Sequence, residues 1–220
     1  MATPPNSSAD LANLRQPYNV AGLLEGDLLD SPFDQFQMWF TQAKAAGIKE
    51  PNAMTLATAS ADGVPDARIV LLKGLNPESG FAFYTNYDSV KAKQLEANPR
   101  ATLVFYWDRL DRQVRVHGAV QQLPEATNDR YFAQRPRGSQ IGAWSSPQSS
   151  VIPNREILTQ REAEINQQYE GQDVPRPPHW GGYAVLPERI EFWQGQPSRL
   201  HDRLVYVRDG QAWKIERLAP

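Results

Sequence analysis

The chain has 220 residues, with 23 Lys+Arg against 25 Asp+Glu (formal net charge −2), three His and no Cys. That length suits one domain of ordinary size, and zero cysteine excludes a disulfide framework, a thiolate zinc site, an iron–sulfur cluster and a cysteine nucleophile. The near-neutral balance argues against a nucleic-acid surface, and no apolar stretch nears the ~20 residues of a membrane helix, so a soluble cytoplasmic protein is expected.

Residues 1–30 read as a mobile N-terminal arm, punctuated by Pro4-Pro5 and Asn6-Ser7-Ser8. A helix is predicted from Ser31, with Ser as N-cap, Pro32 at the first helical position and Asp34 in the first turn. Phe33, Phe36, Phe40 and Ala43 share its core face, and Gly47 ends it. Strand signals follow over 54–60, 68–73, 81–85, 102–107 and 113–121, with a hairpin turn at Asp62-Gly63 and a short helix over 89–97. Pro124-Glu125 opens a helix to about Gln134; further helices are predicted over 139–144 and 154–169. Four strands (182–186, 189–193, 204–208 and 212–217) close the chain, the last two joined at Asp209-Gly210. Strands cluster without βαβ alternation. The pattern predicts a mainly β fold with peripheral helices (α+β), a Greek-key-like antiparallel barrel, with residues 31–220 as a single domain.

The common catalytic signatures are missing. His117, His179 and His201 are isolated, so no metal site is expected, and neither a phosphate-binding glycine loop nor Gly-x-Ser-x-Gly occurs. A chain lacking all of these suits a bound cofactor that brings its own chemistry. The arginines carry more information. Between Arg68 and Ser139 there are eleven basic residues against seven acidic ones, a local surplus that suits small anionic ligands in a mildly acidic chain. Arg68 and Lys73 bracket an apolar strand. Their odd spacing puts them on opposite faces, serving two ligands or two sides of one site. Arg135-Pro-Arg137-Gly-Ser139 gathers two guanidinium groups and a hydroxyl, donors that suit a phosphate; the alternative is a basic surface turn. If extended, Arg199, His201 and Arg203 share a strand face, where three cations repel one another unless an anion or solvent sits there. A solvated face explains them equally, and Phe192-Trp193 and His117 read as structural.

Taken together, these segments resemble the pyridoxamine/pyridoxine 5′-phosphate oxidase family. Arg68-Ile-Val-Leu-Leu-Lys73, Phe83-Tyr-Thr-Asn86, Arg112-Gln-Val114, Tyr131-Phe132, Arg135-Pro-Arg137 and Ser139-Gln-Ile-Gly-Ala-Trp144 match its pattern in order. So do Gln148-Ser-Ser150, Trp180-Gly-Gly182, Ile190-Glu-Phe-Trp-Gln-Gly195, Arg199-Leu-His-Asp-Arg203 and the terminal Trp213-to-Pro220 segment. The match runs from about Leu14 to Pro220.

The resemblance implies an FMN-binding split barrel, a homodimer through a C-terminal dimerisation region, and FMN at the interface. It implies oxidation of pyridoxamine and pyridoxine 5′-phosphates to pyridoxal 5′-phosphate, by hydride transfer from C4′ to flavin N5 with O2 reduced to H2O2. FMN contacts carried over are Arg68, Ile69, Val70, Leu71, Leu72, Lys73, Tyr84, Thr85, Lys91 and Gln113, completed from the other subunit by Gln148, Ser149, Trp193 and Arg203. Substrate phosphate falls to Lys73, Tyr131, Arg135 and Ser139. The ring end falls to Arg199 and His201, the residues assigned to catalysis, with Arg199 steering the amine or alcohol. Arg15 and Tyr18 match an arm that closes over substrate, with Gln16 and Pro17 between them. One departure stands out: the family commonly has Ser-Arg-Lys where this chain has Ser89-Val90-Lys91. Two other classes share parts of the pattern, namely another flavin or deazaflavin split-barrel reductase and a non-catalytic carrier of pyridoxal phosphate or FMN.

Overall fold

In the computed structural model, which describes Tyr18 and residues 21–220, helix α1 spans Pro32–Ala45 and starts on the Ser-Pro signal. The Ser31 hydroxyl accepts the Asp34 N–H at 3.4 Å, and Pro32 spends its missing donor where no intrahelical partner exists. Phe33, Phe36 and Ala43 are buried as the helical period predicts, and Trp39 joins them. The 21–30 segment, in the expected arm, is pinned at several points: Leu23 is buried, its N–H donates to Asp202, and Tyr206 Oη donates to the Leu29 carbonyl.

Among the described residues, nine strands form one antiparallel sheet. In chain order they are β1 (Ala53–Ala59), β2 (Pro65–Leu71), β3 (Gly74–Asn76), β4 (Gly80–Asn86), β5 (Arg100–Trp107), β6 (Arg112–Gln122), β7 (Trp180–Gln194), β8 (Asp202–Asp209) and β9 (Ala212–Arg217). Their lateral order is β2-β1-β5-β6-β7-β4-β3, and β8 and β9 extend the edge of β7 beyond β4. Helix α2 (Val90–Ala97) follows β4, and α3 (Glu125–Ala133), α4 (Arg137–Ser145) and α5 (Glu156–Gln168) fill the connection from β6 to β7. The sheet curls on itself. Leu72 donates to Asn52 beside β1 and Lys73 donates to Ala82 on β4, so the stretch after β2 stitches the two limbs into a split barrel.

The core lies within this curl. Alternate strand residues (Met54, Leu56, Phe81, Phe83, Leu103, Phe105, Val114, Val116, Ile190, Phe192) meet the buried face of α1, as the period of two requires. A smaller apolar cluster of Phe132, Ile141, Val174 and Trp180 sits under α3 and α4.

One expected break is absent. Residues 182–186 and 189–193 belong to a single fifteen-residue strand, β7. Pro187 pairs with Gly118 and Arg189 with His117, leaving Glu188 as an extra residue in a β-bulge. The bulge tolerates the proline that a regular ladder would reject, and it demands glycine opposite: a Cβ on Gly118 would lie 1.8 Å from the Leu186 carbonyl oxygen.

Candidate active site

A cavity of about 480 Å³ opens between β2, β4, α3 and α4. Its floor is the end of β2 (Arg68, Ile69, Val70, Leu71), and its walls include Lys73, Tyr84, Thr85, Lys91, Tyr131, Arg135, Ser139, Gln148 and Trp180. At one end Lys91 Nζ donates to Thr85 Oγ1 and Gln148 Oε1, both at 3.3 Å, and Thr85 Oγ1 also donates to Gln148 Oε1 at 3.1 Å. At the other, Tyr131 stacks on Tyr84 (centroids 3.9 Å apart, planes 9° from parallel), and Arg135 lies over the Trp180 ring at 4.6 Å.

The electrostatics are those of an anion site. Among the described residues, the four cations of the cavity form one ion pair, Arg68 with Asp66 at 2.5 Å. Burial, with a smaller contribution from the Arg68 charge, holds the Lys91 ammonium below its usual pKa; burial does the same to the Arg135 guanidinium. Arg135 Nη1 is buried with no hydrogen-bond partner. A desolvated cation with an unspent donor is costly unless a ligand supplies the negative charge. This donor set fits phosphate.

A second group gathers near the far end of β7. Gln113, Trp193 and Arg203 are direct cross-strand neighbours on β6, β7 and β8. Trp193 packs against His201 (4.7 Å between centroids), and Tyr18 meets both rings edge-on, at 6.0 Å and 5.3 Å. Gly195 makes room for this: a Cβ there would lie 2.6 Å from Tyr18 Cδ1. His201 Nδ1 accepts the Gln196 N–H at 3.1 Å, so the neutral ring carries its proton on Nε2, free to donate. Arg203 Nε donates to the buried Glu191 carboxylate at 2.8 Å, which Arg115 and Arg189 also approach.

Of the residues singled out from sequence, twelve line the cavity: Arg68, Ile69, Val70, Leu71, Lys73, Tyr84, Thr85, Lys91, Tyr131, Arg135, Ser139 and Gln148. Leu72 turns to the core instead, and Ser149 follows Gln148 with a left-handed φ of 70°. Arg15 lies outside the described residues. Gln148, expected from a second subunit, lines the cavity of its own chain and bonds Thr85 and Lys91 there.

Arg68 and Lys73 line one cavity, the second of the two arrangements their spacing allowed, with β2 ending at Leu71 before Lys73. Two sequence expectations need correction. Arg199, His201 and Arg203 do not share a strand face. Pro197–Arg199 is a 3-10 turn with Ser198 at φ 59° and Arg199 at φ 62°, and β8 begins only at Asp202. Arg135 and Arg137 part company: Arg137 donates to the Tyr169 and Gln172 carbonyls at 2.7 and 2.9 Å, capping the end of α5, away from the cavity. Sequence reasoning missed Trp180 as a site residue, although it belongs to the Trp180-Gly-Gly182 motif. An isolated tryptophan carries no sequence signal separating a core ring from one that faces a guanidinium.

The comparisons agree with this architecture. Residues 40–169 match the pyridoxamine 5′-phosphate oxidase family, and residues 180–220 match the pyridoxine 5′-phosphate oxidase C-terminal dimerisation region. The chain is 55% identical over 217 residues to the pyridoxine/pyridoxamine 5′-phosphate oxidase of Rubrobacter xylanophilus, covering 99% of this chain and 100% of the relative. It is 57% identical over 211 residues to the Synechocystis enzyme of the same name, covering 96% and 98%. Among solved structures, PhzG from Burkholderia lata, in complex with tetrahydrophenazine-1-carboxylic acid, superposes with a TM-score of 0.85 at 32% identity, over 91% of this chain and 99% of that one. An FMN-binding protein of Nostoc punctiforme shares the fold, with a TM-score of 0.69 at 17% identity, covering 88% and 100%. With a cation-rich cavity on a split barrel and matches along nearly its whole length, the chain belongs to the pyridoxamine 5′-phosphate oxidase family.

Proposed function

We propose that this protein oxidises pyridoxamine 5′-phosphate and pyridoxine 5′-phosphate to pyridoxal 5′-phosphate with FMN as cofactor and O2 as acceptor. The alcohol and O2 give the aldehyde and H2O2; the amine additionally takes up water and releases ammonia. FMN, when bound, supplies the two-electron acceptor that O2 regenerates. The chain's own work is binding and orientation. Arg68, Thr85, Lys91 and Gln148 hold the cofactor phosphate end, and Lys73, Tyr131, Arg135 and Ser139 hold the substrate phosphate. Arg199 and the Nε2–H of His201 orient the 4′ substituent, and the arm bearing Arg15 and Tyr18 covers the site, excluding water.

The observation that carries this reading is the cavity itself, with three cations that make no ion pair among the described residues and a guanidinium donor without a partner there, set among aromatic walls. Geometry also supports a homodimer. Trp180 and Trp193 stand thirteen residues apart on β7, a contour of about 43 Å at ~3.3 Å per residue. On this reading, a second copy brings its Gln113–Trp193–Arg203 row to the cavity.

The deciding experiment incubates the FMN-loaded protein with pyridoxamine 5′-phosphate under air and measures H2O2 and pyridoxal 5′-phosphate. Stoichiometric formation of both is expected. Their absence from an FMN-saturated protein would leave the carrier reading, and activity appearing only with a reduced nicotinamide and another acceptor would favour the reductase.

Val90 bears on cofactor retention. It opens α2 beside the Lys91–Thr85 cluster and is half-exposed. Arg68 cannot fully replace the missing arginine, since its guanidinium already serves Leu56, Thr58, Gln94 and Asp66. Val90→Arg is expected to add a charged hydrogen bond of about 1.5–3 kcal/mol, lowering the FMN Kd by roughly 10- to 100-fold. Fluorescence titration of FMN into both proteins checks this, and equal Kd values would overturn it.

A further inference from the structure

We infer that Trp180 is a positioning residue of the phosphate end of the cavity: its indole face holds the Arg135 guanidinium so that the charge and the N–H donors stay available to an anion. The inference rests on the proposed function for the identity of the substrate, but not for the existence of the anion site.

Arginines are usually held by carboxylates, and Arg176, next to this site, is an example. Its Nε donates to Asp129 at 2.6 Å and its Nη1 to the Trp180 carbonyl at 2.8 Å. Arg135 is held differently. It lies 4.6 Å above the Trp180 ring and 5.6 Å from Phe132, makes no ion pair among the described residues, and keeps Nη1 buried without a partner. An aromatic face attracts a cation through its quadrupole and consumes neither charge nor N–H donors. A carboxylate in the same place would fix the side chain equally well, but would neutralise it and occupy the donors a phosphate needs.

The clamp is itself rigid. Trp180 is buried at the start of β7, paired with Asn86 on β4, and its N–H donates to the Pro177 carbonyl at 3.1 Å. Phe132 meets the indole edge-on at 5.1 Å. Tyr84 stacks on the indole at 5.3 Å with planes 7° apart, and Tyr131 stacks on Tyr84. The same ring thus fixes Arg135 directly and Tyr131 through Tyr84. These are two of the groups assigned to the substrate phosphate.

The test uses FMN-loaded wild type, Trp180→Leu and Trp180→Phe, with inorganic phosphate as the probe. Phosphate binding is measured by calorimetry and as competitive inhibition, and KM and kcat for pyridoxamine 5′-phosphate are measured alongside. Trp180→Leu is expected to weaken phosphate about tenfold, equivalent to about 1.4 kcal/mol, and to raise KM by a similar factor, with kcat reduced by less than about threefold. Trp180→Phe retains a π face and is expected to recover most of the loss, which a purely space-filling role would not restore in preference to leucine. Unchanged phosphate binding in both variants, or an equal loss in both, would overturn the inference. Should Trp180→Leu fail to fold, Trp180→Met takes its place: a loss of about tenfold that Trp180→Phe largely recovers supports the clamp, and wild-type binding in Trp180→Met overturns it. Because phosphate binding needs no turnover, an inactive wild type whose phosphate affinity still falls in Trp180→Leu removes the oxidase reading and leaves the clamp standing.

Discussion

Replacing Arg199 by methionine is expected to lower turnover of pyridoxamine 5′-phosphate by about 100-fold, the scale associated with losing orientation at the reacting centre, while the purified protein keeps its FMN. The side chain is exposed on the 3-10 turn Pro197–Arg199 and forms no ion pair among the described residues, so its loss uncovers no buried charge. Methionine keeps much of the length of arginine and removes all five donors. Two consecutive non-glycine residues with left-handed φ, Ser198 and Arg199, put strain of order 1–3 kcal/mol each into this turn. Such strain is expected where a side chain must be aimed, as the proposed role of Arg199 requires, and the same segment carries His201. Steady-state rates, with flavin absorbance of the purified variant, give the answer. Parallel loss of rate and flavin would make Arg199 structural.

The largest effect on stability is expected in the core beneath α1. Phe36 on α1 is about 1% exposed and meets Phe81, Phe105 and Trp107 with centroids 5.1, 4.9 and 5.9 Å away. Phe36→Ala removes the buried ring and leaves a cavity in the barrel core, at a cost of about 3–5 kcal/mol. For a chain of this size that lowers Tm by roughly 6–20 °C, at 2–4 °C per kcal/mol. None of these rings lines the phosphate cavity, so FMN and substrate affinity well below the transition should stay at wild-type values. Thermal melts at matched protein concentration check the first expectation and titrations the second. A shift under about 2 °C would mean that α1 does not anchor the core.

The two residues also mark how far the sequence reaches. Phe36 was legible because a helix repeats every 3.6 residues, so spacing alone put Phe33, Phe36 and Ala43 on one buried face. Strand alternation and the Asp62-Gly63 and Asp209-Gly210 turns located the hairpins for the same local reason. Arg199 was legible only as part of a family motif. The alternating pattern around it suggested a strand face, whereas two left-handed residues turn the chain away before β8 begins. The break expected between residues 186 and 189 fails in the opposite direction, because Pro187 is absorbed by a bulge once Gly118 faces it.

Local periodicity, capping and turn chemistry, all interactions between near neighbours in the chain, were therefore enough to establish a mainly antiparallel β protein with peripheral helices and a locally basic middle. The absence of cysteine, and of nucleotide loops or clustered histidines, left bound phosphates and a cofactor, rather than protein-borne groups, as the expected chemistry. Which cations share one cavity was decided only by tertiary structure. The curl of the sheet brings Arg68 and Lys91 to the same space as Arg135, and Trp180, 45 residues further along, arrives over that guanidinium. Folding also sent Arg137, whose spacing suited a phosphate or a basic surface turn, to a helix end, and it buried Glu191 beneath three arginines. Side-chain partnership across a barrel depends on closure and register, and neither is written in the spacing of any one segment.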